Sequence, residues 1–178
     1  WYALNAAKRY DDARAVADQM LVLAWDDPAR LNDLAQGMLL DEVGDQYYEQ
    51  AEKAMKRARE LSGDSADFSM PEFKLAALRG DREAVQRAAD LLLAQEGADP
   101  EIINTVAWEL MTNRRIEGDY AALSLMLAEK AEALTMGENP AILDTLALAM
   151  FKNGHVERAI EIEKNAIELA PQYDFLKM

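Results

Sequence analysis

One histidine and a few short acid runs are the only side chains here whose types and spacing could serve proton transfer or metal binding. His155 follows Gly154 at an expected turn between helices. A general base needs a partner to orient it and a pocket to work in, and an interhelical turn suits an exposed or helix-capping histidine instead. Asp26-Asp27, and Asp41-Glu42 with Asp45, are rich enough in carboxylate to suggest calcium. They lack the alternating ligand spacing of a calcium loop and read as solvated helix ends. The chain has no cysteine, which removes thiolate nucleophiles, disulfides and zinc knuckles. It also has no glycine-rich phosphate loop with its lysine. These residues assign no catalytic, cofactor or metal site, and the expectation is a protein that is not an enzyme.

A second group of side chains could bind rather than react. Asn32, Asn104 and Asp144 stand at one recurring position, and Gln36, Trp108 and Leu148 at another, with Phe151 and Lys152 one turn further on. Polar side chains repeated along one face can hydrogen-bond a peptide backbone, or can cap and link neighbouring helices. A tryptophan exposed on such a face is an anchor of the kind that dominates protein interfaces, while a buried one would pack against the next helix pair. Met38, Met111 and Met150 also recur and are expected to fill irregular gaps between packed helices. Lys152 is the only base in the group, so a clamp for a peptide C-terminal carboxylate is not expected.

These positions correspond because the chain repeats. Gly44, Gly80, Gly118 and Gly154 are spaced 36, 38 and 36 residues apart, and the first three are each followed by Asp. Glycine closes a helix in a left-handed conformation, and Asp is a good cap for the next one. A helix–turn–helix unit recurring at this period is the signature of a helical solenoid. Before the glycines stand Leu31-Asn-Asp-Leu-Ala35, Ile103-Asn-Thr-Val-Ala107 and Leu143-Asp-Thr-Leu-Ala147; after them come Ala51-Glu-Lys-Ala54, Ala128-Glu-Lys-Ala131 and Ile162-Glu-Lys-Asn-Ala166. The alanines allow neighbouring helices to approach closely. The Gly80 unit is degenerate, with Phe68, Phe73, Leu75 and Leu78 before the turn and Val85, Leu91, Leu92 and Leu93 after it. Asn113-Arg-Arg-Ile-Glu117 enlarges the turn before Gly118. Lys8 occupies the place of a first, missing glycine.

The periodicity predicts helices over roughly 10–24, 28–42, 46–61, 67–79, 82–95, 100–113, 119–135, 140–153 and 155–169, after a partial helix over 1–7. Pro28, Pro71, Pro100, Pro140 and Pro171 help to bound them. The expected organisation is one helical-repeat domain over 1–178, with repeats at about 1–27 (partial), 28–62, 66–98, 99–137 and 139–173. The chain opens at Trp1, inside a repeat, and is read as a piece of a longer protein.

The last unit resembles a tetratricopeptide repeat (TPR) through Leu143, Leu146, Ala147, Met150 and Phe151, then Gly154, Ala159-Ile160, Ala166, Leu169 and Pro171. The 103–135 unit matches with its enlarged turn, the 31–62 unit weakly and the 66–98 unit in outline. The resemblance implies an all-α, right-handed α-solenoid whose first helices line a concave groove. In that groove Asn32, Gln36, Asn104, Trp108, Asp144, Leu148 and Phe151 would meet a protein or peptide ligand. The order Ile103-Asn-Thr-Val-Ala-Trp108, Ala128-Glu-Lys-Ala131, Pro140-Ala-Ile-Leu-Asp-Thr-Leu-Ala147 also resembles the C-terminal helical repeats of some bacterial thioredoxin-like (redoxin, TlpA-type) proteins. That resemblance implies a periplasmic or cell-envelope setting, a cytoplasmic one being the alternative, and a redox domain upstream of Trp1.

Composition narrows the partners. Of 178 residues, 33 are acidic and 19 basic, a net charge of −14 that is spread along the chain. Nucleic-acid binding needs clustered Lys and Arg and is not expected. No apolar run is long enough to enter a membrane. Two functions follow as expectations. One is a non-enzymatic scaffold binding protein or peptide in its groove. The other is a structural appendage that self-associates or packs on a thioredoxin-like domain, because an apolar edge at Trp1, Tyr2 and Leu4 needs a cover.

Overall fold

The computed structural model describes residues 1–40, 43–63 and 69–170, the side chain of Ser69 excepted. Asp41-Glu42, Phe68 and Pro171, each given a role in the sequence reading, lie outside the described residues. Among those described, every regular element is a helix: α1 Tyr2–Ala6, α2 Tyr10–Ala24, α3 Pro28–Met38, α4 Tyr48–Ser62, α5 Ser69–Leu78, α6 Arg82–Ala94, α7 Pro100–Thr112, α8 Ala121–Thr135, α9 Pro140–Lys152 and α10 Val156–Leu169. None of these helices is long and apolar enough to cross a membrane.

The helices start and stop for local reasons. Asp27, Asp99 and Asn139 each precede a proline, and their side chains accept from Arg30 N, Glu101 N, and Ala141 and Ile142 N respectively. Proline in the first turn costs no hydrogen bond, because its missing N–H has no partner there. At the other end, Gly80 (φ +70°) and Gly154 (φ +82°) close their helices in the same way. Asp81 N donates to Ala76 O and Gly80 N to Ala77 O; His155 N donates to Met150 O and Gly154 N to Phe151 O. This crossed pair of bonds is the Schellman closure. Lys8 makes it too, with φ +58°, Arg9 N donating to Leu4 O and Lys8 N to Asn5 O. The position aligned with the missing glycine therefore has a glycine's backbone conformation.

Two turns are longer. Residues 113–120 separate α7 from α8, as the extra residues before Gly118 imply. Residues 39–47 separate α3 from α4, where the sequence reading had carried the helix on to 42. Leu39, Val43 and Tyr47 in this stretch are all buried. The helix instead ends at Met38 with Leu39 as its C-cap, and the Leu39 side chain still reaches the core. Asp45 consequently lies three residues before α4 and does not cap it, the N-cap being Tyr47.

The helices divide into two compact units, Trp1–Asp81 and Arg82–Met178. In the first, α1 packs on α2, α2 on α3 and α4, and α5 on α3 and α4, with the closest packing between α3 and α4. Its core contains Leu31, Ala35, Tyr47, Ala51, Ala54 and Ala58, each fully buried. Trp1 and Leu4 pack partly onto this core. In the second unit α7 pairs with α8 and α9 with α10, α9 meets both α7 and α8, and α6 meets α8. Ile103, Val106, Ala107, Leu127, Ala128 and Ile142 are completely buried there. The alanines of the repeated motifs are thus where helix pairs close together, as the spacing predicts.

Candidate functional site

The seven binding candidates fall on three helices. Asn32 and Gln36 belong to α3 in the first unit. Asn104 and Trp108 belong to α7, and Asp144, Leu148 and Phe151 to α9, in the second. Asn104 and Asp144 are each the fifth residue of a helix that begins with proline, so the two helices present equivalent positions in the same rotation.

Asn32 and Asn104 are half-buried. Each has its Oδ1 fully shielded and without a hydrogen-bond partner. A shielded carbonyl with no donor costs stability. The amide Nδ2 of each is a donor of the kind suited to a peptide carbonyl. Gln36 is exposed, and Trp108 is 41% exposed. The tryptophan is therefore neither packed away nor free: part of its ring lies on the helix surface and part faces solvent. The helix beneath is locally tied by Thr105 and Thr112, whose hydroxyls donate to Glu101 O and Trp108 O, both at 2.8 Å.

Asp144, Leu148 and Phe151 line a common opening of about 440 Å³ between α9 and α10, completed by Ala147, Val156, Ala159, Ile160, Glu163 and Lys164. Phe151 is 58% exposed and Ile160 51%. Asp144 meets Glu163 across this opening. Burial first, then the Asp144 charge and a hydrogen bond to it, hold the Glu163 carboxyl above its ordinary value. The protonated form of Glu163 is the donor of that bond, and ionising both groups sets two like charges side by side.

Sequence reasoning did not place Val156, Ile160 or Glu163 among the binding candidates. The signal was present. On α10 the stripe Ala159, Ile162 and Ala166 is buried, while Val156, Ile160 and Ile167 form a second apolar stripe facing solvent. A helix apolar on two faces has one face more than a single neighbour can cover. A second apolar opening, about 340 Å³, lies in the first unit between α2 and α3, lined by Met20, Leu23, Ala24, Arg30, Asp33 and Leu34.

His155 is the N-cap residue of α10, exposed, and makes no side-chain capping bond. Asp119 does support its helix, accepting from Ala121 N at 3.1 Å. Met38 is buried, and Met111 and Met150 are half-buried. Among the described residues no group of three His, Cys, Asp or Glu side chains is placed to hold a metal ion. No family model and no curated protein matches this chain.

Proposed function

We propose that the chain is a non-enzymatic scaffold that binds a protein or peptide along the first helices of a tetratricopeptide-like, right-handed solenoid. The observation that carries this reading is Trp108, a large aromatic 41% exposed on α7, one turn from the half-buried Asn104. A partly exposed tryptophan beside an amide donor offers an apolar anchor and a polar guide on one short stretch of helix. Asn32 and Gln36 supply two further amide groups on α3. The acidic charge favours a neutral or basic ligand. The resemblance to thioredoxin-associated repeats adds a periplasmic or cell-envelope setting to the proposal, with redox chemistry assigned to a separate domain.

The test is selection of peptides from a random library on the full chain, followed by affinity measurement with Trp108→Ala. A loss of about tenfold or more is expected for an anchor. Unchanged affinity across the selected peptides would remove Trp108 from the site and this reading with it.

One observation favours the second reading, a structural appendage. Tyr2 is 54% exposed beside Trp1, whose ring it meets edge-on at 4.7 Å. This aromatic pair at the edge of the first unit suits a covering partner. A concentration-dependent dimer that Tyr2→Ser dissociates would support the appendage; a monomer with an active peptide site supports the scaffold.

A further inference from the structure

The second unit contains its own example of how a helix docks on a helix pair. α9 is seated on α7 and α8. At one end Asn139 Nδ2 donates to Glu101 Oε1 at 2.7 Å, and at the other Asn153 Nδ2 donates to Ala121 O at 2.8 Å. Between these ties Ile142, Thr145, Leu146 and Ala149 are buried. The pair α9/α10 presents the corresponding face, and three of its apolar positions are more exposed, although Leu148 is half-buried where Trp108 is 41% exposed. Phe151 is 58% exposed where Met111 is half-buried, and Ile160 is 51% exposed where Leu125 is half-buried. Val156, 41% exposed, stands where Ala121 is half-buried. Nothing among the described residues covers this face as α9 covers its counterpart.

The polar residues on the two faces differ in a directed way. The covered face has Asn104 and Ala128, the latter fully buried. The uncovered face has Asp144 and Glu163 at those places. A helix laid over it as α9 is laid over α7/α8 would remove two neighbouring carboxyls from water. That burial is costly unless a cation is brought to them. Among the described residues Lys164 is the one base lining the opening, and with Asp144 and Glu163 it leaves the opening acidic.

We propose that the α9/α10 face is a second docking surface, for a helix of a partner protein bearing an aliphatic stripe and one arginine or lysine near its middle. The aliphatic side chains would sit on Leu148, Phe151, Val156 and Ile160, and the cation between Asp144 and Glu163. Arginine suits the place best, because its planar fork can meet two carboxylates at once. The net charge of −14 draws such a basic helix to the protein. This surface takes Asp144, Leu148 and Phe151 from the groove candidates, but its binding does not require Trp108.

The probe is a fluorescein-labelled synthetic peptide of about 16 residues, long enough to be helical when bound, with leucines at i, i+3 and i+7 and a central arginine. Its affinity for the full chain is read by anisotropy. Binding is expected, and should weaken about tenfold when the arginine is replaced by glutamine, and equally in the double variant Asp144→Asn, Glu163→Gln. The double variant is isosteric, and its far-ultraviolet circular dichroism should match the parent. Ile160→Asp should abolish binding, while Trp108→Ala should leave it unchanged. Affinity should also rise with pH as Glu163, whose carboxyl burial and Asp144 hold above its ordinary value, ionises.

No binding, or binding indifferent to the arginine and to the double variant, overturns the proposal. Sensitivity to Trp108→Ala overturns it too, by moving the peptide to the other site. A dimer that Ile160→Asp dissociates assigns the face to a second copy instead. Binding that appears only after removal of residues 171–178 assigns it to that segment.

Discussion

Single residues in this chain have consequences that can be measured in isolation. Lys8 holds a left-handed backbone (φ +58°) in a Schellman closure that Gly80 and Gly154 make without strain. A non-glycine residue is disfavoured there by roughly 1–2 kcal/mol, and glycine returns part of this through its freedom when unfolded. Lys8→Gly should therefore stabilise the first unit by about 0.5–1 kcal/mol, read as a higher urea midpoint. Gly154→Ala should cost about 1 kcal/mol, and the cost is purely conformational because an added Cβ meets nothing within 4 Å. Equal midpoints for parent and variant in either case would show that the closure does not set local stability. Glu163 makes a pH-dependent contribution. Its carboxyl is held above the ordinary value of 4.5 by burial and by Asp144. A raised folded-state value means the stabilisation is complete below pH 4.5 and is lost as pH rises through the folded value. Glu163→Gln should then raise Tm at pH 7 and leave it unchanged near pH 4; a rise at both pH values would point to packing instead of charge.

At the scale of elements, small residues decide how the helices meet. Ala107 is fully buried, and Ala35 and Ala147 occupy the same place in their helices. Ala107→Leu should cost about 1–3 kcal/mol through overpacking, whereas the same change at exposed Ala141 should be nearly neutral in a denaturant series. The element pattern was largely readable in advance. α2 runs from Tyr10 to Ala24 as the periodicity has it, and α9 and α10 agree to within a residue at each end. The sequence reading carried the α3 helix past Met38, where Leu39 and Leu40 are non-helical, and began the next helix at 46 instead of Tyr48, while the loop it expected around Gly44 is present. Tyr47 holds that loop in place, its hydroxyl donating to Asn5 Oδ1 at 2.8 Å from 42 residues away. No local pattern encodes a bond of that span. The second turn series, Gly63, Gly97 and Gly137, all with positive φ, was visible as glycines and overlooked because the first series already accounted for the period.

For the whole molecule, charge is the dominant long-range term. Ion pairs such as Arg9–Asp12 at 2.7 Å and Arg158–Glu161 at 2.9 Å lie on exposed side chains and contribute little each. An excess of 14 negative charges opposes compaction everywhere. Raising NaCl from about 10 mM to about 300 mM should therefore increase Tm, because screening relieves more repulsion than it weakens attraction. A fall in Tm would show that the ion pairs outweigh the excess. The candidate site was less legible than the fold for a reason that also belongs to this scale. Equivalent positions on α7 and α9 can be found by alignment, but whether a face is covered depends on the next helix. Asn104 and Asp144 look alike in sequence, and only the seating of α9 on α7/α8 separates them.

That seating also governs how the chain can reach its structure. Within each unit almost every packed pair is made by helices that are consecutive or next but one along the chain. Contacts so close in sequence close short loops, and short loops lose little entropy on closing. Folding of each unit should accordingly fall in the fast regime of low contact order, microseconds to milliseconds. In the second unit α9 closes on α10, α8 and α7, all neighbours in sequence, so no long loop has to close to seat it.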